Sequence, residues 1–82
     1  MQMSVLLVDD EEEFVTTLAE RLELREMAVS VATSAEKAIR IVDAERPQVV
    51  VADVKMPGMG GLDLLRVIKA SYPGIQVILL TG

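Results

Sequence analysis

Three aspartates stand at the ends of short apolar runs. Asp9 and Asp10 follow Val5-Leu6-Leu7-Val8, and Asp53 follows Val49-Val50-Val51-Ala52. An apolar run stopped abruptly by an acid reads as a buried strand emerging at a polar edge. Carboxylates brought together from such ends repel one another unless a cation lies among them. Carboxylate and carbonyl oxygens suit Mg²⁺, Mn²⁺ or Ca²⁺. An octahedral Mg²⁺ held by one or two carboxylates, a carbonyl, waters and a phosphate oxygen fits this inventory. The chain has no histidine and no cysteine. That excludes disulfides, Fe–S clusters, Cys/His zinc sites, cysteine nucleophiles and histidine-based acid–base schemes.

The elements that must position these acids follow from a periodicity that alternates between strand and helix. Ser4 to Val8 is a strand, and Glu12 to Arg25 is helical, with Phe14, Leu18 and Leu22 recurring every four residues beside Val15 and Ala19. Ala28 to Ala32 is a second strand. Thr33 with Glu36 predicts a capping box for a helix whose Ala35, Ala38, Ile39 and Val42 share one face and which ends near Glu45. Pro47 closes it, and Val49 to Ala52 forms a third strand ending at Asp53. A glycine-rich loop follows, then a helix from Leu62 to Ser71 with Leu65, Ile68 and Tyr72 on one stripe, stopped by Pro73-Gly74. Ile75 to Leu80 is a fourth strand, before Thr81-Gly82. This β-α-β-α-β-α-β order predicts a parallel sheet with helices on both faces. Ligands of such sheets bind outside the carboxyl ends of the strands, where the strand order reverses. Asp9, Asp10, Asp53 and Thr81 all fall at such ends.

Each of these residues has a plainer account when taken alone. The acids from Asp9 to Glu13 complement a helix macrodipole. Asp53 closes a strand before a turn, Thr81 is β-branched and at home in a strand, Gly60-Gly61 marks a turn, and Lys55 is a solvated loop charge. Their joint placement argues for a shared site. The chain carries a formal net charge of −5, and without the three aspartates −5 + 3 = −2. Most of the imbalance therefore belongs to the candidate site.

The 82 residues, 51% of them hydrophobic, fit one small folded domain. No apolar run approaches the ~20 residues needed to span a bilayer, so a soluble, cytoplasmic protein without membrane attachment is expected. No Lys/Arg cluster is present, and Phe14 and Tyr72 are the only aromatic residues. Direct nucleic-acid binding by this segment is not expected.

Val5-Leu6-Leu7-Val8-Asp9-Asp10-Glu11 and Asp53-Val54-Lys55-Met56-Pro57-Gly58-Met59-Gly60-Gly61-Leu62 resemble the two signature segments of the response-regulator receiver domain, and the resemblance extends to Thr81-Gly82. It implies a flavodoxin-like, doubly wound sheet of order 2-1-3-4, the first four strands of the family's 2-1-3-4-5. It also implies a signalling domain rather than an enzyme, with Asp53 accepting a phosphoryl group from a sensor histidine kinase or phosphotransfer protein. Asp10, Asp53 and the backbone carbonyl of Lys55 would hold Mg²⁺ directly, with Asp9 acting through water. Thr81 would hydrogen-bond the phosphoryl group and shift on its arrival. Pro57 and Gly61 would shape the loop.

Two departures from the pattern carry expectations. Gly60 stands where receivers often have an acid, which predicts a looser loop. The family's lysine at the end of a fifth strand has no match here, since neither Lys55 nor Lys69 falls at that position. The last two helices of the family have no counterpart either. Residues 1–82 thus read as a single receiver domain truncated after its fourth strand. One missing charge-assisted hydrogen bond, ~1.5–3 kcal/mol, predicts slowed phosphotransfer. An apolar fourth strand at the sheet edge predicts a homo-oligomer. The alternative is a structural assembly fragment with an idle site. A phosphohydrolase with an aspartyl nucleophile is disfavoured, because Lys55 stands where such enzymes need a second acid.

Overall fold

The computed structural model describes residues 2–81 of the chain, so Gly82 of the sequence pattern lies outside the described residues. The elements run β1 (Ser4–Val8), α1 (Glu12–Glu23), β2 (Ala28–Ala32), α2 (Ala35–Glu45), β3 (Val49–Asp53), α3 (Gly61–Ser71) and β4 (Gln76–Leu80). All pairings are parallel, in the order β2-β1-β3-β4. This is the flavodoxin-like order expected from the sequence.

The chain steps from β1 to β2 and then back across β1 to β3. With crossovers of one hand, that reversal sends α1 to one face of the sheet and α2 and α3 to the other. The core divides accordingly. Leu6 and Val8 of β1 join Val50, Ala52, Ala38, Val42, Leu64 and Ile68 beneath α2 and α3. Val5 and Leu7 point the opposite way, against Val15 and Ala19 of α1. Because β1 lies between two helical layers, its four residues from Val5 to Val8 are all buried. An uninterrupted apolar run is what that position requires.

Helix faces differ in detail from their predicted stripes. Val15 and Ala19 form the buried line of α1, with Leu18 and Leu22 half-buried, whereas Phe14 lies 49% exposed. The helix ends at Glu23, before Arg25. In α3 the buried positions are Gly61, Leu64 and Ile68, and Leu65 is only half-buried. The predicted capping box on α2 is replaced by a single cap: the Ser34 hydroxyl accepts the Lys37 N–H at 3.2 Å. Thr33 lies one residue too early for that role, and its hydroxyl accepts from Lys37 Nζ instead. Arg46, in left-handed conformation with φ 50°, ends α2 ahead of Pro47 and donates its N–H to Val42 O.

At the amino end of the sheet α2 and α3 are tied together. The Tyr72 hydroxyl donates to Asp43, and the Arg46 guanidinium stacks over the Tyr72 ring, 4.3 Å from its centroid. On the sheet face shared with α1, β4 exposes Ile78 and Leu80, 48% and 40% accessible. Among the described residues, no strand pairs with the outer edge of β4.

Candidate functional site

The strand order reverses at β1, so the carboxyl ends of β1 and β3 flank the switch point. Asp9 and Asp10 lie there at the end of β1, and Asp53 is the last residue of β3. One carboxylate oxygen from each of the three lies within 4.8 Å of the others. Residues more than forty positions apart in sequence thus converge because Val8 pairs with Ala52.

Backbone hydrogen bonds hold two of the three side chains. Asp9 is 6% exposed. Its N–H extends the ladder by donating to Ala32 O at 3.1 Å, and its Oδ1 accepts the Glu11 N–H at 2.9 Å. The second bond turns the chain from β1 into α1, whose first turn carries Glu12 and Glu13. Asp53 repeats the arrangement on β3: its Oδ1 accepts the Lys55 N–H at 3.1 Å. Asp10 is exposed at the mouth.

No lysine or arginine among the described residues forms an ion pair with these three carboxylates. Among the described residues the ion pair is Arg66–Asp63, both on α3 and exposed. Three carboxylate oxygen donors without an ion-pair partner match a small hard divalent cation such as Mg²⁺, so the donor set fits the metal inferred from the sequence.

The other predicted residues surround the aspartates. Lys55 follows Asp53 by two positions and is exposed, and its backbone lies next to the Asp53 carboxylate through the bond just described. Thr81, also exposed, follows Leu80, the register partner of Asp53. The ladder continues past that pair, because Val54 N donates to Leu80 O at 3.1 Å. Thr81 therefore sits at the carboxyl end of the strand next to Asp53. In the loop, Met56 and Met59 pack into the core beneath α2 and α3 and tether it, and Gly58 supplies a positive φ of 75°.

Gly60 departs from expectation. The structure shows a tight junction there rather than a loosened loop. A Cβ on Gly60 would lie 2.7 Å from Val54 O, and one on Gly61 would lie 2.5 Å from Asp53 O. The doubled glycine was the available sequence signal, but it reads equally as a turn. Only the spatial neighbour distinguishes close approach from flexibility.

The family profile described as the response regulator receiver domain matches residues 5–82. The chain is similar to the C4-dicarboxylate transport transcriptional regulatory protein DctD of Rhizobium meliloti, with 39% identity covering 96% of this chain and 17% of the relative. It is also similar to the probable transcriptional regulatory protein TcrX of Mycobacterium tuberculosis, with 37% identity covering 98% of this chain and 34% of the relative. The chain thus spans between a sixth and about a third of these two curated relatives. Among solved structures, a receiver domain protein from Clostridium thermocellum superposes with a TM-score of 0.93 at 35% identity, covering 98% of this chain and 65% of that one. The non-phosphorylated HemR receiver domain of Leptospira biflexa superposes with a TM-score of 0.90 at 30% identity, covering 98% and 64%.

Proposed function

Because the chain belongs to the response regulator receiver domain family, we propose that it is the phosphoacceptor module of a two-component signalling protein. The convergence of Asp9, Asp10 and Asp53 within 4.8 Å at the switch point carries this reading. A carboxylate oxygen of Asp53 attacks the phosphorus of a phosphohistidine on a sensor kinase or phosphotransfer protein. A P–O bond forms, the P–N bond breaks, and its electron pair stays on the imidazole nitrogen. This chain has no histidine, so the donor is a separate protein or segment.

Phosphoryl transfer draws little covalent help from a protein and depends on positioning and charge. Asp10, Asp53 and the Lys55 carbonyl would hold Mg²⁺ directly, and Asp9, fixed by the Glu11 N–H, would reach it through water. Bound there, Mg²⁺ supplies positive charge to the phosphoryl oxygens and offsets the repulsion among the acids. The Lys55 N–H on Oδ1 restricts rotation of the Asp53 carboxylate, and Thr81 donates its hydroxyl to the arriving group.

Several curated relatives are named as transcriptional regulators, which supports a role as the input module of such a protein in the cytoplasm. Among the described residues no helix is long and apolar enough to cross a membrane. The partner surface includes a second copy of this chain at the β4 edge. Gly74 to Thr81 contains no charged residue, so two copies can meet there without repulsion despite the net charge of −5.

The test is intact mass after incubation with Mg²⁺ and a small acyl-phosphate donor, with Asp53→Ala alongside. One added phosphoryl group on the wild-type chain, absent from the variant, is expected. A folded chain that gains none would favour an idle, structural site.

A further inference from the structure

The loop between β3 and α3 is held by few bonds. From Met56 to Met59 no backbone–backbone hydrogen bond is made among the described residues. Before that stretch the Lys55 N–H is fixed on the Asp53 carboxylate, and after it the Gly61 N–H is fixed on Val54 O. Between those two points the contacts to the core come from thioethers. Met56 and Met59 pack beneath α2 and α3, while Pro57 and Gly58 stand exposed. The loop is therefore attached by apolar contact, and each methionine is half-buried rather than sealed in the core.

Met56 is coupled to the acidic site through the backbone. Its N–H and the Lys55 carbonyl belong to one planar peptide unit, so the direction of that carbonyl follows the course of the chain into Met56. The Lys55 carbonyl is one of the oxygens proposed to hold Mg²⁺. A change that drives Met56 out of the core turns this oxygen away from the Asp10 and Asp53 carboxylates. Oxidation is such a change, because methionine sulfoxide is polar and disrupts apolar packing, and enzymes reduce it back to the thioether.

We propose that Met56 and Met59 form an oxidant-sensitive tether for the acidic site, with hydrogen peroxide as the oxidant. The thioether sulfur attacks one peroxide oxygen, an S–O bond forms and the O–O bond breaks. The proton on the transferred oxygen passes to the departing one, which leaves as water. Sulfur is oxidised by two electrons to the sulfoxide, and the peroxide is reduced. The polar sulfoxides leave the core, the loop detaches between Lys55 and Gly60, and Mg²⁺ binding weakens until the thioethers are restored. The coupling rests on reading the site as a cation-assisted phosphoacceptor.

The experiment treats folded chains with hydrogen peroxide, locates sulfoxides by peptide mass mapping and follows Mg²⁺ titrations by amide NMR shifts. Far-UV circular dichroism checks folding. One variant carries Met3→Leu and Met27→Leu, so that Met56 and Met59 remain. A second carries Met56→Leu and Met59→Leu, which nearly conserves the volume of both tethers. Either leucine substitution made singly keeps the comparison if the pair does not fold. In the first variant, oxidation of Met56 and Met59 is expected to shift the amides from Lys55 to Gly60 before metal is added. It should also weaken Mg²⁺ binding about 10-fold or more, the scale of a displaced ligand support. Methionine sulfoxide reductases for both epimers, with dithiothreitol, should restore the affinity. The second variant should bind Mg²⁺ equally well before and after peroxide. Unchanged affinity in the oxidised first variant overturns the tether. So does loss of the helical signal on oxidation, because the effect would then not be local to the loop. Peroxide that oxidises Met3, 48% exposed, in the wild-type chain but spares Met56 and Met59 overturns it as well. A folded wild-type chain that binds no Mg²⁺ overturns the reading of the site and the coupling together.

Discussion

Tyr72 is the chain's one tyrosine, and there is no tryptophan, so its phenol titrates without spectral interference. The hydrogen bond it donates to Asp43 needs the phenol proton and raises its pKa above the ordinary tyrosine value, with Arg46 acting in the opposite direction. A raised folded-state pKa means that the bond's contribution to stability is complete below about pH 10, the unfolded value. It is lost as pH climbs through the folded value. Tyrosinate absorbance should therefore show a midpoint above about 10 in the folded chain. Asp43→Ala should bring that midpoint down, because the Arg46 effect remains. An unchanged midpoint would mean that the pair does not persist in solution. At this scale the three aspartates were legible, because an acid ending an apolar run is a pattern in one dimension. The close approach of Gly60 to the Val54 carbonyl was not, since that neighbour is met only in the folded chain. Leu64 was likewise hidden: neighbouring leucines share a composition, and only packing on the sheet selects which one is buried.

Element boundaries depend on a few backbone bonds, and α2 makes this testable. Its amino terminus is capped by Ser34, while Thr33 makes only an exposed contact with the Lys37 ammonium. Ser34→Ala should lower stability by about 0.5–2 kcal/mol, and Thr33→Ala by clearly less, as read from chemical denaturation. The reverse ranking would restore the Thr33 cap suggested by the sequence. Every strand and helix was legible from periodicity, and the ends differ by two residues or fewer. What periodicity could not supply was the rotation of α1. Phe14 and Val15 are both apolar neighbours, yet a sheet face lined by Val5 and Leu7 selects Val15 and Ala19, leaving Phe14 outside.

For the whole molecule, strand order followed from the family resemblance, and crossover handedness explains why the helices divide between the two faces. Among the described residues β4 has no outer partner, and its uncharged, proline-free composition is one that natural proteins usually guard against at an edge. Ile78 and Leu80 are its exposed apolar side chains. Leu80→Lys should shift the wild-type chain's expected concentration-dependent sedimentation toward a single smaller species, leaving far-UV circular dichroism unchanged. A wild-type chain that sediments as a monomer throughout the micromolar range would remove the self-association proposal.

The convergence of β1 and β3 has a consequence for how the molecule holds together. The acids meet where these two central strands pair, so a divalent ion bound among them would act as a clasp across that seam. Metal binding and seam closure would then be thermodynamically linked, each strengthening the other. The acids lie at the carboxyl ends of the two inner strands rather than on an outer strand. A divalent ion held there would add to the β1–β3 pairing and the shared core that already join the two halves of this sheet.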